Sequence, residues 1–175
     1  MNSFTERMRK AAVLDAELYE EVEHDTSAMG QAFGVVLLAS VAAGIGSVWH
    51  GGILGLIGTA FWDVVGWLVW SLVIYFLGTR VFPEEQTEAD YGQLLRTIGF
   101  AYTPGIIRIL GIIPFLRWIV MPIAWIWVVA AMVVAVRQAL DYRTTGKAIL
   151  VCVVGFVSYM LVMLIVSAFN CGAGF

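Results

Sequence analysis

Apolar positions along this chain fall into five long blocks, separated by short polar stretches, and within each block polar residues are rare. The blocks run about 28–49, 52–78, 94–113, 118–136 and 148–169. A helix that crosses the hydrocarbon core of a bilayer needs about 20 mostly apolar residues, and each block is close to or above that length. The pattern predicts an all-α integral membrane bundle of five transmembrane helices spanning residues 28–170. A short tail, 171–175, follows on the outside.

Residues 1–27 follow a different rule. Ser3 and Glu6 have the S-x-x-E spacing of a capping box, in which two side chains satisfy free backbone donors at a helix start. Phe4, Met8, Ala11, Leu18 and Val22 then fall on one helical face, interrupted by Asp15. Arg7, Arg9 and Lys10 come first, and Asp15, Glu17, Glu20, Glu21, Glu23 and Asp25 follow. An N-terminal amphipathic helix is expected, cytoplasmic or interfacial. Its basic end suits anionic headgroups, whereas its acidic second half equally suits a solvated helix.

Composition agrees with lipid as the solvent. The chain is 61% hydrophobic and 13% charged over 175 residues, against about 45–50% and about 25% in soluble domains. The net charge of −3 and the lack of a basic patch exclude nucleic acid as a partner. Cys152 and Cys171 have neither the spacing of metal ligands nor the density of a disulfide scaffold. Residues 1–25 contain no apolar core of a cleavable signal peptide, so the first block is expected to act as a retained anchor.

The third block decides the topology. It holds Pro104, Gly105 and Arg108, and it could turn back as a re-entrant hairpin. With five crossings and a cytoplasmic N-terminus, Arg7, Arg9, Lys10, Arg80, Arg96, Arg137, Arg143 and Lys147 are inside, and Arg117 is outside. A hairpin would move Arg137, Arg143 and Lys147 outside, against the positive-inside rule. Five crossings are therefore expected, with the N-terminus cytoplasmic and the C-terminus outside. The same asymmetry argues against dual insertion.

Two charges lie deep in apolar blocks. Counted from the cytoplasmic side, Asp63 is about fifteen residues into the second block and Arg108 about fourteen into the third. At about 1.5 Å per residue the depths agree within a few Å. An isolated charge at mid-bilayer costs at least about 2.5–3.5 kcal/mol on insertion scales, so a contact between them is expected. That pair would lock helix register or handle an ion. Beside Arg108, the run Tyr102-Thr103-Pro104-Gly105 must break its helix, because Pro104 lacks a donor and clashes with the preceding turn. Tyr102, Thr103 or Arg108 can satisfy the freed carbonyls. The break either lines a ligand site or only shapes the bundle.

Gly30 and Gly34, and Gly51 and Gly55, have the four-residue spacing that lets helix backbones approach, within one chain or between copies. His24 and His50 are placed on opposite sides of the membrane and do not suggest a metal site. No H-E-x-x-H, G-x-S-x-G or phosphate-binding loop occurs, and no dense carboxylate cluster. No catalytic residue, metal or cofactor is expected, and the chain does not read as an enzyme.

Tyr91-Gly92-Gln93-Leu94-Leu95-Arg96-Thr97-Ile98, followed by Gly99-Phe100-Ala101-Tyr102-Thr103-Pro104, resembles the segment of the Yip family that ends in G-[YF]-x-x-x-P. Trp125-Ile126-Trp127-Val128, Val134 to Leu140 and Thr145-Gly146-Lys147-Ala148 resemble its prokaryotic members. The eukaryotic D-L-Y-G-P motif precedes the helices, whereas Asp90-Tyr91-Gly92 here follows the second one and lacks the proline. The resemblance implies five helices after a polar N-terminus. In eukaryotes it also implies vesicle traffic with Rab-type GTPases, a role assigned to no residue here. The chain is thus expected in a prokaryotic cytoplasmic membrane, as a scaffold or accessory factor in membrane organisation or trafficking. Its partners would be the lipid bilayer and other membrane proteins or further copies of itself. The alternative is a small transporter or channel subunit that uses Asp63 and Arg108.

Overall fold

A computed structural model describes residues 3–172, with side chains except those of 49–51, 53–55, 163 and 165–172. The described residues form seven α-helices and no strand: α1 (Phe4–Ala12), α2 (Ala16–His24), α3 (Met29–Gly46), α4 (Val48–Phe76), α5 (Tyr91–Ala101), α6 (Pro114–Ala139) and α7 (Thr145–Gly172). Four stretches are long and apolar enough to cross a membrane: Thr26–Gly46, Leu56–Val81, Pro114–Ala139 and Thr145–Val162.

The N-terminal segment is two helices, not one. Leu14 takes a left-handed φ of 62°, the Leu14 amide donates to Ala11 O and the Asp15 amide to Lys10 O. This closes α1 in the manner of a helix C-cap. Asp15 then caps α2 by accepting from the Glu17 amide. The predicted apolar stripe is real but folded over: Ala11, Leu18, Tyr19 and Val22 are fully buried in the core cluster shared with α3, α5 and α6. The stripe packs on protein, not on headgroups. Arg7 holds the hairpin closed with ion pairs to Glu21 (2.8 Å) and Asp25 (2.7 Å), and it donates to Gln31 at the base of α3.

The third apolar block does not form one long helix. α5 has 11 residues and is followed by a 3₁₀ segment, Thr103–Ile112, of 10. At about 1.5 and 2.0 Å per residue the two together reach roughly 36 Å, longer than the roughly 30 Å hydrocarbon core. Contacts along α3 give the direction. Gly99 lies against Ala32, Arg108 donates to Ala39 O, and Gly111 lies against Gly46. Ascending numbers match ascending numbers, so the composite segment runs parallel to α3. α4 runs the other way, since Trp67 donates to Leu95 O and Tyr91 to Leu68 O. α6 passes Gly111 and Gly46 at Met121, in its first half, and ends where Gln138 donates to Glu20 of α2. The composite segment therefore carries the chain from one end of the bundle to the other.

The end that holds α1 and α2 is polar and tied together. Lys147 pairs with Glu84 at 3.2 Å, Thr87 donates to Leu140 O, and Tyr142 donates to Phe82 O. These bonds fasten the loop after α4 onto the α6–α7 turn. We call this the cap end.

Candidate functional site

The proline break has a local chemical solution. Pro104 cannot donate to Phe100 O, and the Thr103 hydroxyl donates to that carbonyl at 2.7 Å. Arg108 turns back to donate from Nε to Gly105 O at 2.9 Å. Tyr102 makes neither bond. Its side chain instead lines a cleft of about 440 Å³ between α4, α6 and α7.

Asp63 lines the same cleft, and its Oδ2 is buried without a hydrogen-bond partner. Arg108 does not supply one. Its Nη2 donates to Ala39 O at 3.4 Å, and no ion pair joins it to Asp63 among the described residues. The expected contact between the two charges is thus absent in this conformation. The reason is azimuth: a 3₁₀ segment has three residues per turn, so Gly105, Arg108 and Gly111 form one row, which meets α3 at Ala39 through Arg108 and at Gly46 through Gly111. Asp63, Gly66 and Trp70 form a row on α4 that faces α6 and α7. Gly66 leaves room for the Tyr159 hydroxyl, which would stand 3.1 Å from an added Cβ. Trp70 meets the Tyr159 ring edge-on and donates to Met132 Sδ at 3.2 Å. Cys152, half-buried, completes this wall.

Glycine packing also falls elsewhere within the chain. A Cβ on Gly30 would meet nothing within 4 Å, and one on Gly34 only Phe4 at 3.8 Å. The side chains around Gly51 and Gly55, with His50, lie outside the described residues, as does Cys171. Tight approaches fall at other glycines, among them Gly46, where a Cβ would collide with Arg108 O, Gly78, where it would meet the Leu140 side chain, and Gly99, where it would stand 2.8 Å from the Ala32 side chain.

The sequence offered no signal for the second cluster, at the cap. Arg96 is 5% exposed and donates to Val22 O (3.0 Å) and to Glu23 O, so α5 clamps the C-terminal carbonyls of α2. The Glu23 carboxylate is buried beside this clamp, and its Oε2 has no partner. Burial first, then Asp141 and Glu20, push its carboxyl up to about 7, against the opposing pull of His24 and Arg96. A raised carboxyl is a folded state that holds its proton more tightly than the unfolded chain does. Its stabilisation is complete below the ordinary glutamate range, about 4.3, and is lost as pH rises through about 7. Thermal unfolding in detergent should therefore show a cap less stable at pH 8 than at pH 5. Glu23→Gln should flatten that difference by stabilising the protein at pH 8, and an unchanged pH profile would refute it.

A family model for the Yip1 domain matches residues 16–165. The chain belongs to the Yip1-domain family. The match begins at the first residue of α2 and takes in the whole cleft, so α2 is part of the domain. This confirms the resemblance carried by Tyr91–Pro104 and the later motifs. No curated protein and no solved structure matches the chain.

Proposed function

We propose that this Yip1-domain protein crosses the membrane five times and acts without catalysis, as a scaffold or accessory factor in membrane organisation or trafficking. The composite of α5 and the 3₁₀ segment is the third crossing, which places the cap in the cytoplasm of a prokaryotic cell. Every Lys and Arg except Arg108 and Arg117 then lies on the cytoplasmic side, as the positive-inside rule requires. The observation that carries the reading is the pairing of a tied polar cap with broad apolar outer faces. Phe115, Trp118, Trp125 and Ile126 on α6, and Phe156, Val157 and Leu161 on α7, are exposed. Such faces suit lipid and neighbouring helices alike.

Photo-crosslinking amino acids at Trp118, at Phe156 and at Glu17 on the cap test this in intact cells. Each site is expected to capture discrete products, a second copy or one recurring membrane protein. Lipid adducts alone from all three positions would overturn the scaffold reading.

A transport role has one observation in its favour, the cleft around Asp63. Proteoliposomes with an internal pH dye distinguish the two. A proton or cation flux lost in Asp63→Asn would favour transport, and the absence of flux favours the scaffold.

A further inference from the structure

The cleft between α4, α6 and α7 combines three properties that together select a ligand. The first is an uncompensated acid. Asp63 Oδ2 is buried without a partner, no Lys or Arg among the described residues lines the cleft, and Arg108 spends its donors on Ala39 O and Gly105 O. A lone carboxylate in apolar surroundings asks for a cation or a strong donor. The second is the wall. Trp62, Trp70, Tyr102, Trp125, Phe156 and Tyr159 bring aromatic rings to one cavity. Aromatic faces attract cations, and several rings around one carboxylate are the usual chemistry for an alkylammonium group. The third is access. Of the lining residues, Trp125, Ile149, Val153 and Val157 are exposed on helices long and apolar enough to cross a membrane, so the cleft borders the surface that lipid would cover. A volume of about 440 Å³ fits a head and part of a chain.

We propose that this cleft binds an ammonium amphiphile that arrives through the membrane, its cationic head against Asp63 within the aromatic ring and its chain along Val153 and Val157. An anionic amphiphile would face Asp63 with no compensating cation. A metal ion would find one carboxylate and no further oxygen ligands of matching charge. The proposal goes beyond the scaffold reading and does not depend on it. The ammonium group could belong to a lipid headgroup or to a free lipophilic amine, and the chemistry at Asp63 is the same.

The test uses the full chain in nanodiscs of digalactosyl diacylglycerol, a lipid with no charge and no amine. Tritiated dodecyltrimethylammonium is the probe, with empty nanodiscs subtracted. Saturable binding at one site per chain is expected. Asp63→Asn, nearly isosteric, should weaken it at least tenfold, and Trp125→Leu, at an exposed position, several-fold. Dodecanol, which has the chain without the charge, should compete poorly. Gel filtration and circular dichroism check that both variants fold. Binding that does not saturate, that survives both substitutions, or that dodecanol displaces as well as unlabelled probe would overturn the proposal. Adding phosphatidylethanolamine to the discs separates the sources. Competition by the lipid assigns the site to a headgroup and its absence to a free amine, and both support the site.

Discussion

Arg96→Ala is expected to cost about 3–5 kcal/mol of stability and to release α1 and α2 from the bundle, the largest effect of any single change at the cap. The guanidinium is nearly fully buried and meets the Val22 and Glu23 carbonyls, the last acceptors of α2. Removing it strands both carbonyls and takes away a buried cation that counters the Glu23 carboxylate. Lys would restore the charge but not the forked donor geometry, so Arg96→Lys should recover only part of the loss. Hydrogen exchange read by mass spectrometry checks this. Amides of residues 16–24 should lose protection in Arg96→Ala while those of α6 keep theirs. Uniform loss, or none, would show that the clamp is not what holds the cap.

Gly46→Ala is expected to be the most damaging change in the membrane part. The added Cβ would collide with Arg108 O and lie close to Met121, and the nearest atom is backbone, which cannot rotate away. α3 and the 3₁₀ segment must separate, at about 1–3 kcal/mol or somewhat more. Arg108 would lose its reach to Ala39 O in the process. Gly30→Ala is the control on the same helix. Its Cβ meets open space, so it should be neutral or stabilising by up to about 1 kcal/mol through helix propensity. Thermal unfolding in detergent should place Gly46→Ala well below the parent and Gly30→Ala level with it or above. Equal melting temperatures would mean that α3 and the 3₁₀ segment do not pack at Gly46.

These two sites show where the sequence could be read and where it could not. The long helices follow from apolar length, because the bilayer sets that length. The hairpin of α1 and α2 did not follow. Phe4, Met8, Ala11, Leu18 and Val22 keep helical spacing through the turn, and one straight helix or two folded ones give the same stripe. Asp15 was the signal, since an acid that interrupts an apolar stripe is also an N-cap. Residue counts speak only to the depth of Asp63 and Arg108, whereas azimuth depends on the helical period. The switch from 3.6 to three residues per turn after Ala101 turned Arg108 toward α3. Of the glycines picked out by spacing, Gly30 and Gly34 make no tight approach, while Gly46, Gly78 and Gly99 among others do, because close approach depends on which faces meet. The Arg96 clamp joins residues 74 and 73 positions apart, and no local pattern announces a contact of that range.

All of these features hang on the path of the third segment, from the cap end to the far end beside α3. The most direct test places a single cysteine in the turn before α6 by Ile113→Cys, with Cys152 and Cys171 replaced by serine. A membrane-impermeant maleimide is added to intact cells, and Thr144→Cys in the same background serves as the cytoplasmic control. The five-crossing account requires the Ile113→Cys protein to be labelled without lysis and the Thr144→Cys protein only after it. Labelling of the Ile113→Cys protein only after lysis would return the third segment to the cytoplasmic side and contradict the account.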